Sequence, residues 1–323
     1  MIELDKDLAL DFLKTHNVKC SDIKKVAGDA SFRSYYRVFS VDKTYILMFA
    51  PPKYEDVKPF IMVDEYLREN HLPAPEIFHI DEINGFLLLE DFGDVSLTKI
   101  LKESPEREVE FYKSSIDCLI ELHKKEIPSE VSAYNNAELM REVFLFIDWY
   151  FPLKNRETSK SEIKAYKDAF FNLFDDLQKS CEETGKVAVL RDYHADNLMV
   201  VNESEIALLD FQDALIGSKA YDLVSLIEDA RRDLDPSNAE KLYKYFLEQS
   251  NIPTQLFKKE YEILSLQRNI KILGIFARLS MRDGKKRYLD YLPRVEKYVT
   301  SRLESDSPYL REIANVIKSF NLL

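Results

Sequence analysis

Asp192, Asn197 and Asp210 stand in a pattern suited to phosphoryl transfer. The stretch reads KVAVL, RDYHADN, LMVV, NESE, IALLDF: an apolar strand, a polar loop, then two strands joined by a tight turn. Centring the hairpin on Glu203 and Ser204 makes antiparallel partners sum to 407 and sets Asn197 opposite Asp210. Directly opposed residues have Cβ atoms about 4.5–5.5 Å apart, so an amide oxygen and a carboxylate converge where a hard cation can accept both. Two protein oxygens with open positions suit Mg²⁺ on the phosphates of a nucleotide. Asp192 precedes Asn197 by five residues in the same loop. That spacing lets it take the proton of an acceptor hydroxyl as the oxygen attacks phosphorus. Each residue alone is unremarkable, since Asp is a common turn and cap residue. Specificity comes from the joint pattern: a strand before Asp192, a strand pair after Asn197 and a second Asp at the far end.

Elements to position these residues are legible along the chain. Residues 3–16 read as a helix; 23–39 and 44–50 carry the Val, Ile, Tyr and Phe enrichment of strands. Phe60, Val63 and Leu67 recur at helical spacing over 59–70, LPAP closes that helix, and strands follow at 76–79 and 86–90. Helical patterns then dominate at 96–103, 106–125, 137–149, 160–182 and repeatedly from 219 to 320, interrupted by the strand-rich island at 187–211. The expected organisation is α+β and bilobal: a small β-rich N-terminal lobe over 1–92, joined through EDFGD to a larger helical lobe over 93–323.

Composition narrows the partners. With 57 acidic against 45 basic residues the formal charge is −12 and no basic stripe interrupts it, so a nucleic-acid partner is not expected. Cys20, Cys118 and Cys181 form no CxxC or Cys/His ligand cluster and read as reduced and structural. The N-terminus is acidic where a signal peptide is basic, and no apolar run approaches the ~20 residues of a membrane span. No membrane association and a cytoplasmic location are expected.

RDYHADN followed by LLDFQDA resembles the catalytic loop and the Asp-Phe-Gly-like metal segment of the aminoglycoside phosphotransferase and choline kinase superfamily. The resemblance implies a protein-kinase-like fold, ATP and Mg²⁺ as cofactors, Asp192 as base, Asn197 and Asp210 on the metal, and Asp222 as an anchor of the catalytic loop. GDASFRSYYRV at 28–38, APP at 50–52, GFLLLEDFGD at 85–94, YDLVSL at 221–226 and the segment 267–295 narrow it further. Together these are similar to the anomeric N-acetylmuramate/N-acetylglucosamine kinases of cell-wall recycling. On that resemblance the substrate is an amino sugar and the product its 1-phosphate.

Two positions depart from the superfamily pattern: Leu190 stands where a loop-supporting His is usual, and Met48 where protein kinases carry a phosphate-pairing Lys. Charge would then come from Arg33 or Lys53. No GxGxxG or GxxxxGK[ST] occurs among the seven glycines, so the turn Gly28-Asp29-Ala30-Ser31 is the expected phosphate cradle. Main-chain groups of Glu90, Asp91 and Phe92 are expected at the adenine edge, and Glu65 on the 59–70 helix is a candidate partner for an ordering cation. For the acceptor, Trp149 could stack on a sugar face with Glu142 accepting hydroxyl protons, while Gln267, Arg268 and Arg278 on a late helix could close the pocket. His194 reads as a loop-packing group. An aminoglycoside or amino-alcohol acceptor, and a catalytically silent pseudokinase that binds nucleotide or a partner, remain alternatives.

Overall fold

The computed structural model describes residues 4–27 and 32–323. The chain divides into two compact units, one comprising Met1–Pro105 with Asp196–Asp213, the other Glu106–Ala195 with Ala214–Leu323. The fold is α+β, an antiparallel five-stranded sheet followed by a mostly helical remainder.

In the first unit, β1 (Asp22–Ala27), β2 (Ser34–Phe39), β3 (Thr44–Phe49), β4 (Ile77–Asp81) and β5 (Phe86–Glu90) form one sheet in the order β1-β2-β3-β5-β4. Period-2 alternation sorts its faces. Tyr36, Val38, Leu47 and Leu88 cover one face together with Ala9, Phe12 and Leu13 of α1 (Lys6–Thr15), a helix capped by the Asp5 carboxylate. Tyr35, Met48 and Leu87 share register positions on the other face. Gly85 closes the β4–β5 turn at φ +74°, and a Cβ there would lie 1.9 Å from the Ala50 carbonyl oxygen. Gly85→Ala should therefore destabilise the protein by more than the roughly 1–2 kcal/mol of a left-handed residue alone. A thermal-unfolding midpoint unchanged from the parent would contradict this.

The unit is completed by α2 (Lys58–Glu69), α3 (Leu97–Glu103) and the hairpin of Leu198–Val201 with Glu205–Leu208. The Val200 amide donates to the Val95 carbonyl and the Leu208 amide to that of Pro73, both at 2.8 Å. These bonds give the hairpin to the first unit, although 90 residues of chain, Glu106–Ala195, intervene. The division thus differs from a single boundary after residue 92: α3 stays with the sheet, and a later hairpin rejoins it.

The second unit contains α4 (Glu108–His123), α5 (Asn136–Leu145), a π-helical turn at Phe146–Tyr150, α6 (Phe151–Leu153) and α7 (Lys160–Thr184). After these come α8 (Ala220–Ile227), α9 (Pro236–Ser250), α10 (Thr254–Met281), α11 (Leu292–Glu304) and α12 (Arg311–Ser319), with a two-stranded ribbon of Lys186–Val189 and Leu215–Ser218. The helix expected over 160–182 carries a capping box between Ser159 and Glu162. α10 is buried on nearly every side from Glu260 to Leu279, so its polar residues must be satisfied internally. Gly274 admits the backbone of Leu145, whose carbonyl carbon would lie 2.3 Å from an added Cβ. Among the described residues, no helix is long and apolar enough to cross a membrane.

Candidate active site

Within the first unit, Asn197 and Asp210 come together by a route different from the one expected. The hairpin pairs Leu198 with Leu208 and Val201 with Glu205, so partners sum to 406 and the turn holds three residues, Asn202 to Ser204. Left-handed φ values of 44° at Asn202 and 69° at Glu203 make the longer turn. The expected sum of 407 was one residue out; in the actual register the Leu209 amide donates to the Asn197 carbonyl at 3.0 Å. Asp210 is itself left-handed at φ 58°, which turns its side chain back toward Asn197, whose Nδ2 donates to Asp210 Oδ2 at 3.3 Å. Gln212 Nε2 donates to the other oxygen at 2.9 Å, while Gln212 Oε1 is buried without a hydrogen-bond partner. Phe211, fully buried, anchors the segment on Phe60 of α2 with ring centroids 5.0 Å apart.

Arg33 lies two residues before Tyr35, the register partner of Met48. Its mostly buried guanidinium stands 3.9 Å from both Glu55 Oε2 and Asp210 Oδ1. Burial works against this cation, but Tyr35, Asp210, Glu55 and Asp213 outweigh it and raise its pKa. Glu55 also accepts from the Phe32 amide at 3.1 Å. Glu65, by contrast, is exposed, and Lys53 lies over the Tyr54 ring. Met48 is fully buried in β3. The Asp91 carboxylate is committed to Arg37, at 2.6 and 2.9 Å, while β5 ends at Glu90 and leaves the main chain of Asp91 and Phe92 beyond the ladder. Gly28, Asp29, Ala30 and Ser31 lie outside the described residues.

In the second unit, Asp192 is partly exposed in a loop held from beneath. The buried Asp222 carboxylate accepts from the Leu190 amide at 2.7 Å and the Arg191 amide at 2.9 Å. Burial raises the Asp222 carboxyl against the pull of those two amides. His194 is buried, and that burial, with Arg231 and Arg268 nearby, pushes its imidazole down to about 3 despite Asp229. It is therefore a neutral packing group at ordinary pH. Leu190, in place of a polar support, is 3% exposed and fills the same core.

Three of the expected substrate residues are buried. Glu142 is 1% exposed, Gln267 0% and Arg268 4%. Glu142 accepts hydrogen bonds from Tyr134 and Arg191, from Gln267 Nε2 at 2.8 Å, and pairs with Lys271 Nζ at 2.8 Å. Burial alone would raise its carboxyl, but Lys271 and Arg191 hold it at about 2. A carboxylate so occupied has no capacity left for a sugar hydroxyl. Trp149 is different: it is partly exposed, on the π-helical turn that extends α5. Such turns recur at functional sites.

A model of the phosphotransferase enzyme family matches residues 22–253. The chain belongs to that family. It is an ATP-dependent small-molecule kinase. An N-acetylmuramate/N-acetylglucosamine kinase of Pseudomonas aeruginosa is 34% identical over 306 residues, covering 93% of this chain and 88% of the relative. A protein of the same description from Pseudomonas putida is 31% identical over 307 residues, again covering 93% and 88%. In fold, the kinase is similar to choline kinase LicA from Streptococcus pneumoniae, with TM-score 0.65 at 13% identity over 92% of this chain and 99% of that one. It is also similar to the ADP-bound aminoglycoside phosphotransferase APH(2'')-Ib, with TM-score 0.60 at 13% identity over 93% and 99%.

Sequence reasoning missed two parts of this kinase. Glu55, which faces Arg33, sits in an irregular segment before α2 where no periodicity marks it. Lys271 is buried on a helix whose apolar pattern continues past it, so nothing in its surroundings distinguishes it from an ordinary surface lysine. Arg191, directly before the expected base, is marked by its backbone alone, as a non-glycine in the left-handed region at φ 71°. It becomes visible only once the backbone is known.

Proposed function

We propose that this kinase transfers the γ-phosphoryl group of ATP to the anomeric hydroxyl of an N-acetylated amino sugar, N-acetylmuramate and/or N-acetylglucosamine, in cytoplasmic peptidoglycan recycling. The observation that carries the reading is the 34% identity, extending over 93% of the chain, to a kinase named for those two sugars. In this reading Asp192 accepts the proton of the attacking hydroxyl. Trp149 offers its ring to the apolar face of the sugar. Main-chain groups at Glu90, Asp91 and Phe92 meet the adenine edge, and Gly28, Asp29, Ala30 and Ser31 meet the phosphates. Arg33, two residues before the register partner of Met48, supplies the cation that Met48 cannot.

Asn197 and Asp210 would hold Mg²⁺, and the donor set fits: a carboxylate, an amide and the partnerless oxygen of Gln212 lie on one short segment pair. When bound, the cation neutralises charge on the phosphates. Asp210→Ala should weaken Mg²⁺-dependent nucleotide binding by at least the roughly 10–100-fold lost with an outer-shell partner. Calorimetry with ADP, with and without Mg²⁺, measures this; an unchanged Mg²⁺-dependent affinity would remove Asp210 from the metal. The function itself is tested by ATP consumption against a panel of amino sugars, aminoglycosides and choline. Turnover confined to the last two groups would overturn the amino-sugar reading.

A further inference from the structure

The three buried residues Glu142, Gln267 and Arg268 share one target. Glu142 takes the Arg191 guanidinium and is itself held by Gln267, Tyr134 and Lys271. Arg268 Nη2 donates to Ser225 Oγ at 2.7 Å, and Ser225 Oγ donates to the Arg191 carbonyl at 3.4 Å. The Arg191 amide donates to Asp222 at 2.9 Å. Every polar part of Arg191 that these contacts describe, amide, carbonyl and guanidinium, is thus held by a buried group of the second unit.

Arg191 is also strained. Its φ of 71° costs a residue bearing a Cβ roughly 1–2 kcal/mol, and such conformations persist only where surrounding contacts over-determine them. Placing two cations around one buried carboxylate adds a desolvation cost that an apolar core would not carry. Stability is therefore a poor explanation for the arrangement. The next residue in the chain is Asp192, which lies within electrostatic reach of both Arg191 and Lys271. Fixing φ and the side chain of one residue sets the direction in which the following residue leaves the chain.

We propose that Arg191 is a positioning residue for the transfer step: a pivot in the left-handed conformation, tethered through Glu142, that aims the Asp192 carboxylate at the acceptor hydroxyl. The inference rests on the reading of Asp192 as the base. Glu142 and Lys271 belong to the tether and touch no substrate. The geometry also accounts for Leu190, since a loop steered through Arg191 and Asp222 does not need a polar side chain at that position.

Arg191→Gly separates the tether from the backbone, because glycine adopts φ 71° freely while removing the guanidinium. The expected result is a fall in kcat of about 10–100-fold, the scale of a small misplacement of a catalytic group. KM for ATP and for the sugar should stay within about threefold, as an effect confined to the transition state requires. Hydrogen exchange over residues 190–195, measured on the same proteins, should accelerate about 10-fold or more as the loop gains local freedom. A kcat within twofold of the parent, or an unchanged exchange rate in this loop, would overturn the tether; loss of kcat together with both KM values and thermal stability would reduce it to a structural role. Should Arg191→Gly unfold, Glu142→Asp retains the charge but shortens the anchor by one methylene, and the same readouts decide. A parent inactive on every acceptor would refute the amino-sugar reading alone, because the exchange comparison does not depend on turnover.

Discussion

Asp192→Asn is expected to lower kcat by about 10²–10⁴-fold, the usual contribution of a positioned general base, while nucleotide binding stays close to that of the parent. That range corresponds to about 3–5 kcal/mol of transition-state stabilisation. Asparagine has the shape of aspartate, so the loop should survive. The Asp192 amide still donates to the Leu190 carbonyl at 2.9 Å, and its carbonyl still accepts from the His194 amide at 3.0 Å. On the proposed reading, what is lost is the ability to accept a proton from the attacking hydroxyl. Single-turnover rates with Mg²⁺ and ATP, alongside calorimetric titration with ADP, separate chemistry from binding. A variant that turns over at the parental rate would exclude Asp192 as the base; one that loses nucleotide affinity in proportion to kcat would assign it to the phosphate site instead.

The second large effect concerns the acceptor. If the anomeric hydroxyl reacts, N-acetylglucosamine should consume ATP and yield an acid-labile 1-phosphate, whereas its 1-O-methyl glycoside should be inert. The anomeric hydroxyl is more acidic than a primary one, so a single carboxylate has less proton transfer to assist, and positioning with charge stabilisation supplies most of the catalysis. On the proposed reading, methylation removes the nucleophile while leaving the rest of the ring for Trp149 to bind. The glycoside should therefore act as a competitive inhibitor rather than fail to bind. Equal phosphorylation of the two sugars would move the reaction to another hydroxyl and remove the cell-wall recycling assignment. The phosphotransferase family membership and the family-level kinase activity would stand.

The two experiments probe parts of the protein that differ in how far local sequence specifies them. The strands β2 and β3 are set by neighbours a few residues away and were legible in their Val, Ile, Tyr and Phe enrichment. So was the convergence of Asn197 and Asp210, two residues at the ends of one short hairpin. The register was not: a three-residue turn in place of two depends on left-handed backbone at Asn202 and Glu203, which neither residue type demands.

Longer-range choices were hidden for a different reason. Glu142, Gln267 and Arg268 look from sequence like polar residues facing a ligand, because a charge on a helix is ordinarily solvated. Whether such a group meets water, a substrate or a buried counter-ion depends on which residue packs against it. Here those partners come from chain segments 49 and 125 residues from Glu142, at Arg191 and Gln267. The same holds for Glu55 facing Arg33, whereas Asp222 beneath the Asp192 loop was expected from the family resemblance. Sequence by itself determined the family, the α+β order of elements and the chemical types in the catalytic loop, all of which are encoded in contiguous motifs and local periodicity. Tertiary structure decided which carboxylate faces which cation, because burial and long-range pairing are properties of the packed chain and leave no mark on the residues that will share them.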